Sequence, residues 1–417
     1  MNTVIIGGGA AGSYAAVFSA RKGDRVTIIE PNGRIGRKLG ITGKGRCNIT
    51  NSCDFETLMK NIAKNPSFLY SAFSRFDQTS CMEFFEELGV PLKTERGGRV
   101  FPVSDKAQDI VRALEKELGR LNVKLVPERA VEITAEENRV SGVRTDKGFY
   151  KADKVILATG GLSYPATGSR GDGYKIAESL GHTVTKLKPA LIPLETKDPC
   201  TAAAGLSVKN VTLSLFDDKS GKKVYSELGE MTFEAYGIGG PLTLTASAVM
   251  ERAEDYRAVV DFKPALDPEK LDRRLLREIS GESERSSHNV RLAISPKKAR
   301  TAQDVVRTLL PAQLVQPILK AAGIEGEKRA AELSKADRKA LCGALKSYTI
   351  FVEGFRPISE AIVTDGGVSV REISPKNMES RLVGGLFFAG EIIDAAGFTG
   401  GFNLQIAYST ARAAAEG

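Results

Sequence analysis

A chain of 417 residues with 42% hydrophobic and 26% charged residues is long enough for two or three domains with large cores, and its composition excludes wholesale disorder. The net charge of +8 makes the surface mildly basic. Lys and Arg nevertheless alternate with Asp and Glu, as in Glu325-Gly-Glu-Lys-Arg329, so a solvated surface is expected and no nucleic-acid partner. Cys47, Cys53, Cys81, Cys200 and Cys342 form no paired framework, no run of about 18 apolar residues exists to span a membrane, and the chain opens without a leader-like stretch. A cytoplasmic protein is expected.

Val4-Ile5-Ile6 is β-branched and wholly apolar, as in a strand buried on both faces of a parallel sheet. Gly7-Gly-Gly-Ala-Ala-Gly12 follows, then a small-residue helix over 13–22 that Gly23 ends, then a strand over 25–30. Apolar spacing predicts helical structure over 54–90 and an amphipathic helix over 105–120. Short strands are expected at 123–126, 130–134, 140–145 and 154–157, the last running into Gly160-Gly161. Pro189, Pro193 and Pro199 mark a hinge-like stretch. Alternation at Val208, Val211, Leu213 and Leu215 predicts a β-rich module. Residues 267–345 are charged and helical in pattern; 345–352 is strand-like, and 361–370 and 385–390 resemble Rossmann strands. The expected class is α/β. Residues 1–188 and 357–417 are expected to form one Rossmann-type domain. A β-barrel-like module (189–266 and 345–356) and a helical module (267–344) are inserted in it.

In Gly7-x-Gly9-x-x-Gly12, the first glycine permits a tight turn. The second lets backbone approach a pyrophosphate, and the third lets the helix pack close to the sheet. The phosphates then rest on the positive end of the helix. Glu30 closes the next strand, where a carboxylate can bind a ribose hydroxyl. Strand, turn, helix and acid together predict dinucleotide binding; a bare glycine turn leaves Glu30 unexplained.

FAD and NAD share this fingerprint. The segment Gly36-Arg-Lys-Leu-Gly-Ile-Thr-Gly-Lys-Gly-Arg-Cys-Asn-Ile-Thr-Asn51 resembles the hallmark of a bacterial family of FAD-dependent oxidoreductases. That family includes aminoacetone oxidases and flavoproteins assigned to reduction of bile-acid dienones. Gly98-Arg-Val-Phe-Pro102, Ala158–Ser163, Thr232–Pro241 and the segments Met378–Arg381, Gly390–Asp394 and Gly400–Gln405 are similar to it as well. The resemblance implies FAD. It implies that Gly7, Gly9, Ala11 and Gly12 hold the pyrophosphate and Glu30 the ribose. Arg37 and Lys38 would lie beside the phosphates or ribityl chain, Asn48 and Thr50 on the flavin side, and Val131 against adenine through its backbone. Thr159, Gly160 and Gly161 would line the dinucleotide. Gly390, Glu391 and Asp394 would meet its ribityl or phosphate end, and Gly401, Asn403, Leu404 and Gln405 the ring. Thr42, Lys44 and Phe402 depart from the family pattern.

Cys47 and Cys53 are separated by five residues, not the four of a flavin disulfide reductase, and no second GxGxxG occurs between 160 and 300. A redox disulfide is therefore not expected. His182 and His288 lack neighbours at ligand spacing, so no metal is expected. Gly168-Ser-Arg-Gly-Asp-Gly173 reads either as a fumarate-reductase-like segment or as a loop capping a helix through Asp172. The expected function is hydride transfer between flavin and a small organic molecule, with NAD(P)H or oxygen as the other redox partner. No catalytic acid or base is assigned. The substrate is expected to enter between the FAD domain and the insert, with Thr232 and Tyr236 on the wall. The alternative is a non-catalytic flavin-binding or regulatory protein whose insert binds a macromolecule.

Overall fold

The computed structural model describes residues 1–198, 201–280 and 300–417; Pro199, Cys200 and His288 lie outside them. The chain forms two compact units, residues 1–191 with 357–417, and residues 192–356.

The first unit is built on a parallel sheet of β1 (Asn2–Ile6), β2 (Arg25–Ile29), β3 (Lys124–Val126), β4 (Lys154–Leu157) and β5 (Leu386–Phe388), in the order β5–β4–β1–β2–β3. The apolar runs of β1, β4 and β5 are buried throughout, as parallel strands covered on both faces must be. Helix α1 (Ala10–Arg21) joins β1 to β2 and packs beside the C-terminal helix Phe402–Glu416. Alanines and serines on both helices let the backbones approach. Tyr14 and Tyr408 meet there with ring centroids 4.7 Å apart, inside an aromatic cluster that includes Phe18, Phe76, Phe84 and Phe85.

Two expectations change. The helical stretch over 54–90 is three helices, Phe55–Lys60, Pro66–Arg75 and Gln78–Glu87, interrupted by a strand at Ile62–Lys64 that pairs with Ala396–Gly397. Asp54 and Asp77 cap the first and third by accepting from the amides of Thr57 and Ser80. Asn65, at φ 53°, breaks the chain before Pro66. Residues 361–370 add no strand to the parallel sheet. Only Val363–Asp365 is extended, and it pairs antiparallel with Lys188–Ala190 before Gly366 and Gly367 turn the chain.

The second unit contains a closed barrel. Its strands, in spatial order, are Leu194–Thr196, Gly237–Gly239, Lys223–Glu234, Ser207–Asp217, Tyr256–Asp261 and Tyr348–Phe355. Val208, Val211, Leu213 and Leu215 all face its core; a left-handed Asn210 absorbs the extra residue between the first two. Helices Pro268–Ser280, Ala302–Arg307, Ala312–Ala322 and Lys335–Lys346 share one hydrophobic cluster with the barrel. The last of them runs to Lys346, so the final strand begins later than its apolar run suggests.

A cation sits inside the parallel sheet. Lys154 is 2% exposed; its ammonium donates to the carbonyl of Ala415 (3.0 Å) and lies 4.2 Å from the Phe387 ring centroid. Burial, reinforced by Lys22, lowers its pKa to about 8. The folded chain therefore releases this proton before the unfolded chain does, and the first unit is expected to gain stability as pH rises from about 8 towards 10.5. The gain attributable to Lys154 should reach about 3 kcal/mol. Urea denaturation of wild type and Lys154→Met at pH 7 and pH 10 checks this: the pH-dependent increment should be lost in the variant.

Candidate active site

A cleft of about 360 Å³ opens at the carboxyl ends of β1, β2 and β4, wholly within the first unit. This is where open α/β sheets bind ligands. The glycines of the first turn have three different duties. At Gly7, φ is 102° and a Cβ would lie 2.6 Å from the carbonyl oxygen of Ala158. At Gly12, a Cβ would lie 1.8 Å from the oxygen of Gly7, so α1 can sit this close to the turn only with glycine there. A Cβ on Gly9 would meet nothing within 4 Å, and Gly9 lines the cleft. The amides of Gly9, Ala10, Ala11 and Gly12 have no acceptor among the described residues, whereas Ser13 closes the first turn to Gly9 (3.0 Å).

Glu30, at the end of β2, is fixed on the wall. One carboxylate oxygen accepts from the Gly8 amide (2.9 Å), the other from the Asn32 amide (3.0 Å) and side chain (2.7 Å). Arg37 donates to Asn32 Oδ1. Lys38 Nζ donates to Ser163 Oγ (2.6 Å) and pairs with Glu391 Oε2 (2.7 Å). Glu391 Oε1 accepts from Ser163 Oγ (2.9 Å) and the Thr364 amide (2.8 Å). This network ties the Gly36 loop, the turn after β4 and the turn after β5 into one wall.

The far end is lined by Thr42, Gly43, Asn48, Gly400, Gly401, Asn403 and Leu404. Gly401 caps the C-terminal helix at φ 103°, where a Cβ would lie 2.4 Å from the Thr50 oxygen. Asn403 is braced by the Gly397 amide (2.9 Å) and carbonyl (2.8 Å). Asn48 Oδ1 is buried with no partner among the described residues. Two helix N-termini therefore face one cleft, a glycine leaves space where phosphate must approach, and a buried acceptor awaits a donor. These features fit a dinucleotide carrying a polar ring.

The structure gathers Gly7, Gly9, Ala11, Glu30, Arg37, Lys38, Asn48, Thr159, Gly160, Gly390, Glu391, Gly401, Asn403 and Leu404 on this wall. It seats the other expected residues elsewhere. Gly12 supports helix packing. Thr50 Oγ1 donates to Gln405 Oε1 (2.6 Å), and Gln405 donates to the Phe76 carbonyl (3.1 Å), behind the wall. Gly161 abuts Thr364, and Val131 is 43% exposed, with Arg129 and Ala130 lining the cleft instead. The Asp394 carboxylate pairs with Lys64 (2.7 Å), which also holds Asp365 (2.9 Å). Thr232 and Tyr236 belong to the second unit; Thr232 Oγ1 is 3.0 Å from Ser207 Oγ, and the Arg356 guanidinium lies 4.5 Å from the Tyr236 ring centroid.

Asn32, Arg34, Arg129, Ser169, Arg170 and Asp172 also line the cleft. The Gly168–Gly173 segment was the available signal for three of these. Asp172 makes no helix cap; it pairs with Arg129. Cys47 is buried, its thiol pushed up to about 12 by burial, and burial also raises that of Cys53; both are free. His182 Nε2 lies 2.8 Å from Ser380 Oγ, and burial lowers its pKa. No group of three potential metal ligands occurs among the described residues.

A family model described as the HI0933-like protein Rossmann domain matches residues 1–417. The chain is 34% identical over 429 residues to 3-dehydro-bile acid delta(4,6)-reductase of Clostridium scindens, covering 100% of both. It is 30% identical to ribosomal RNA dihydrouridine synthase of Haemophilus influenzae, covering 99% of this chain and 97% of that one. The 3-ketosteroid delta1-dehydrogenase of Sterolibacterium denitrificans, solved with 1,4-androstadiene-3,17-dione, has a TM-score of 0.52 at 13% identity. That match covers 100% of this chain and 98% of the other, and the likeness is one of fold.

Gly9→Val should abolish dinucleotide binding without unfolding the protein, because Gly9 lines the cleft and a Cβ there meets nothing within 4 Å. Absorbance at 450 nm against circular dichroism checks this; normal cofactor content in the variant contradicts it. Cys47→Ala/Cys53→Ser should keep turnover within a few-fold of wild type, since a redox couple needs an accessible thiolate that burial here suppresses. Steady-state assay of the double variant, with its cofactor content measured, is the check.

Proposed function

The chain belongs to the HI0933-like family of FAD-binding flavoproteins and is an FAD-dependent oxidoreductase, and from that premise we propose that it reduces a carbon–carbon double bond conjugated to a carbonyl group. One observation carries this proposal: relatives matched end to end, with different substrates in their names, share a single bond change. One name denotes reduction of a 3-oxo bile acid with double bonds at 4 and 6; the other denotes conversion of uridine to dihydrouridine. In both, the carbonyl withdraws charge from the double bond, so the distant carbon accepts hydride and the nearer one takes a proton.

The cleft supports this chemistry. Gly7, Gly9 and Ala11, with Arg37 beside them, bind the pyrophosphate at the N-terminus of α1, and Glu30 accepts from a ribose hydroxyl. The Lys38–Ser163–Glu391 network keeps the middle of the wall rigid. Asn48 offers the ring its unpartnered acceptor. The N-terminus of Phe402–Glu416 favours negative charge at that end of the cleft. When bound, FAD supplies two-electron hydride transfer, and NAD(P)H is the class of donor that restores it.

The test is anaerobic. FAD-loaded protein is reduced with NADPH or dithionite and mixed with a 3-oxo steroid bearing 4,6 double bonds, or with uridine-containing RNA. At least one acceptor should reoxidise the flavin and gain two hydrogens by mass spectrometry. Reoxidation by oxygen alone, with neither acceptor converted, overturns the proposal.

A further inference from the structure

The helix Pro268–Ser280 reads Pro-Glu-Lys-Leu-Asp-Arg-Arg-Leu-Leu-Arg-Glu-Ile-Ser. Its acidic and basic residues are interleaved along the sequence. Winding the chain separates them. Lys270, Arg273, Arg274 and Arg277 stand at i, i+3, i+4 and i+7, the spacing of one helix face. Leu271, Leu275 and Glu278 are buried on another. Asp272 is engaged by Arg338 (3.1 Å).

The cationic face lines a groove within the second unit, together with Lys263, Leu266, Leu276, Thr308 and Leu309. Lys270 is paired with Asp267 (2.9 Å) and Arg274 with Glu278 (2.6 Å). Lys263, Arg273 and Arg277 have no carboxylate partner among the described residues, and Arg273 and Arg277 are exposed. Lys263 is half-buried, and its ammonium is held below the ordinary lysine range by burial and then by the nearby Arg274. Gathering like charges this way costs free energy that a bound polyanion returns.

We propose that this groove is an RNA-docking surface, in which Lys263, Arg273 and Arg277 contact successive phosphates of a single strand. The proposal rests on the reduction chemistry proposed above and commits its substrate to a uridine in RNA. The face from Lys270 to Arg277 spans about 10 Å, long enough for neighbouring phosphates. The groove's apolar residues are aliphatic, which suits contact with the backbone and not base stacking.

The experiment measures anisotropy of a fluorescein-labelled 20-nucleotide oligouridylate with FAD-loaded full-length protein, from 50 to 200 mM NaCl. Arg273→Glu/Arg277→Glu should weaken binding at least tenfold and make the slope of log K against log salt shallower by about 1.4, the loss of two single-strand phosphate contacts. Arg273→Gln/Arg277→Gln should show a smaller loss in the same direction, with an unchanged circular dichroism spectrum. Arg112→Glu/Lys116→Glu removes the same charge from the first unit and should bind nearly as wild type. Equal affinity in wild type and the Arg273/Arg277 variants overturns the proposal. So does capture by phosphatidylglycerol vesicles without RNA binding, or displacement of RNA by inorganic phosphate but not by NaCl of equal ionic strength. Reduction of the steroid dienone is measured in parallel. Its failure in wild type counts against the steroid as acceptor and leaves the RNA-binding result standing, whereas unchanged dienone turnover in a variant that has lost RNA binding separates docking from chemistry.

Discussion

The contact on which the first unit depends is the approach of α1 to the turn that precedes it. A Cβ on Gly12 would lie 1.8 Å from the Gly7 oxygen, so the helix could not start here with any other residue at 12. That closeness leaves the amides of residues 9–12 without an acceptor among the described residues, with Gly9, Ala10 and Ala11 lining the cleft. It also lets α1 lie against the C-terminal helix, where Tyr14 and Tyr408 meet. Because the helices are matched at a small-residue seam, their N-termini open onto the same cavity. The electrostatics of the site is therefore a property of backbone placement more than of ionised side chains.

Most charged residues of the cleft are engaged by neighbours within the wall. Glu30 is clasped by Gly8 and Asn32, Lys38 by Ser163 and Glu391, and Arg129 by Asp172. The Lys38 and Arg129 contacts join segments far apart in sequence, and Glu30 ties its own loop to the Gly8 turn, so these side chains hold the wall in shape before any ligand arrives. Such preorganisation lowers what binding must spend on ordering. Asn48 Oδ1 and Thr159 Oγ1, also in this cleft, are buried with no partner among the described residues.

The sequence made the first βαβ unit legible because glycine spacing, β-branched strands and Glu30 are local signals that agree with one another. The barrel was legible from alternation, apart from the bulge at Asn210. What stayed hidden is what depends on distant partners. Asp394 sits in a glycine-flanked segment that resembles a cofactor loop, yet Lys64, 330 positions earlier in the chain, claims its carboxylate. The Thr50 and Gln405 side chains, 355 positions apart, bond to each other. Residues 361–370 are apolar enough for a sheet strand, but Gly366 and Gly367 end the extended run after three residues. The cationic face of Pro268–Ser280 shows only when the sequence is wound at 3.6 residues per turn.

The first unit is assembled from both ends of the chain, and this sets an order in time. Glu391, Gly401, Asn403 and Leu404 complete a cleft whose glycine turn occupies residues 7–12. At ribosomal speeds of about 5–20 residues per second, the segment from 191 to 404 takes on the order of 10–40 s to appear. Throughout that interval the β1–β2 unit exists without the edge strand and the helix that finish it. A ribosome-bound nascent chain therefore exposes one flank of a parallel sheet while the whole second unit emerges. The cofactor cavity closes only with the last few dozen residues.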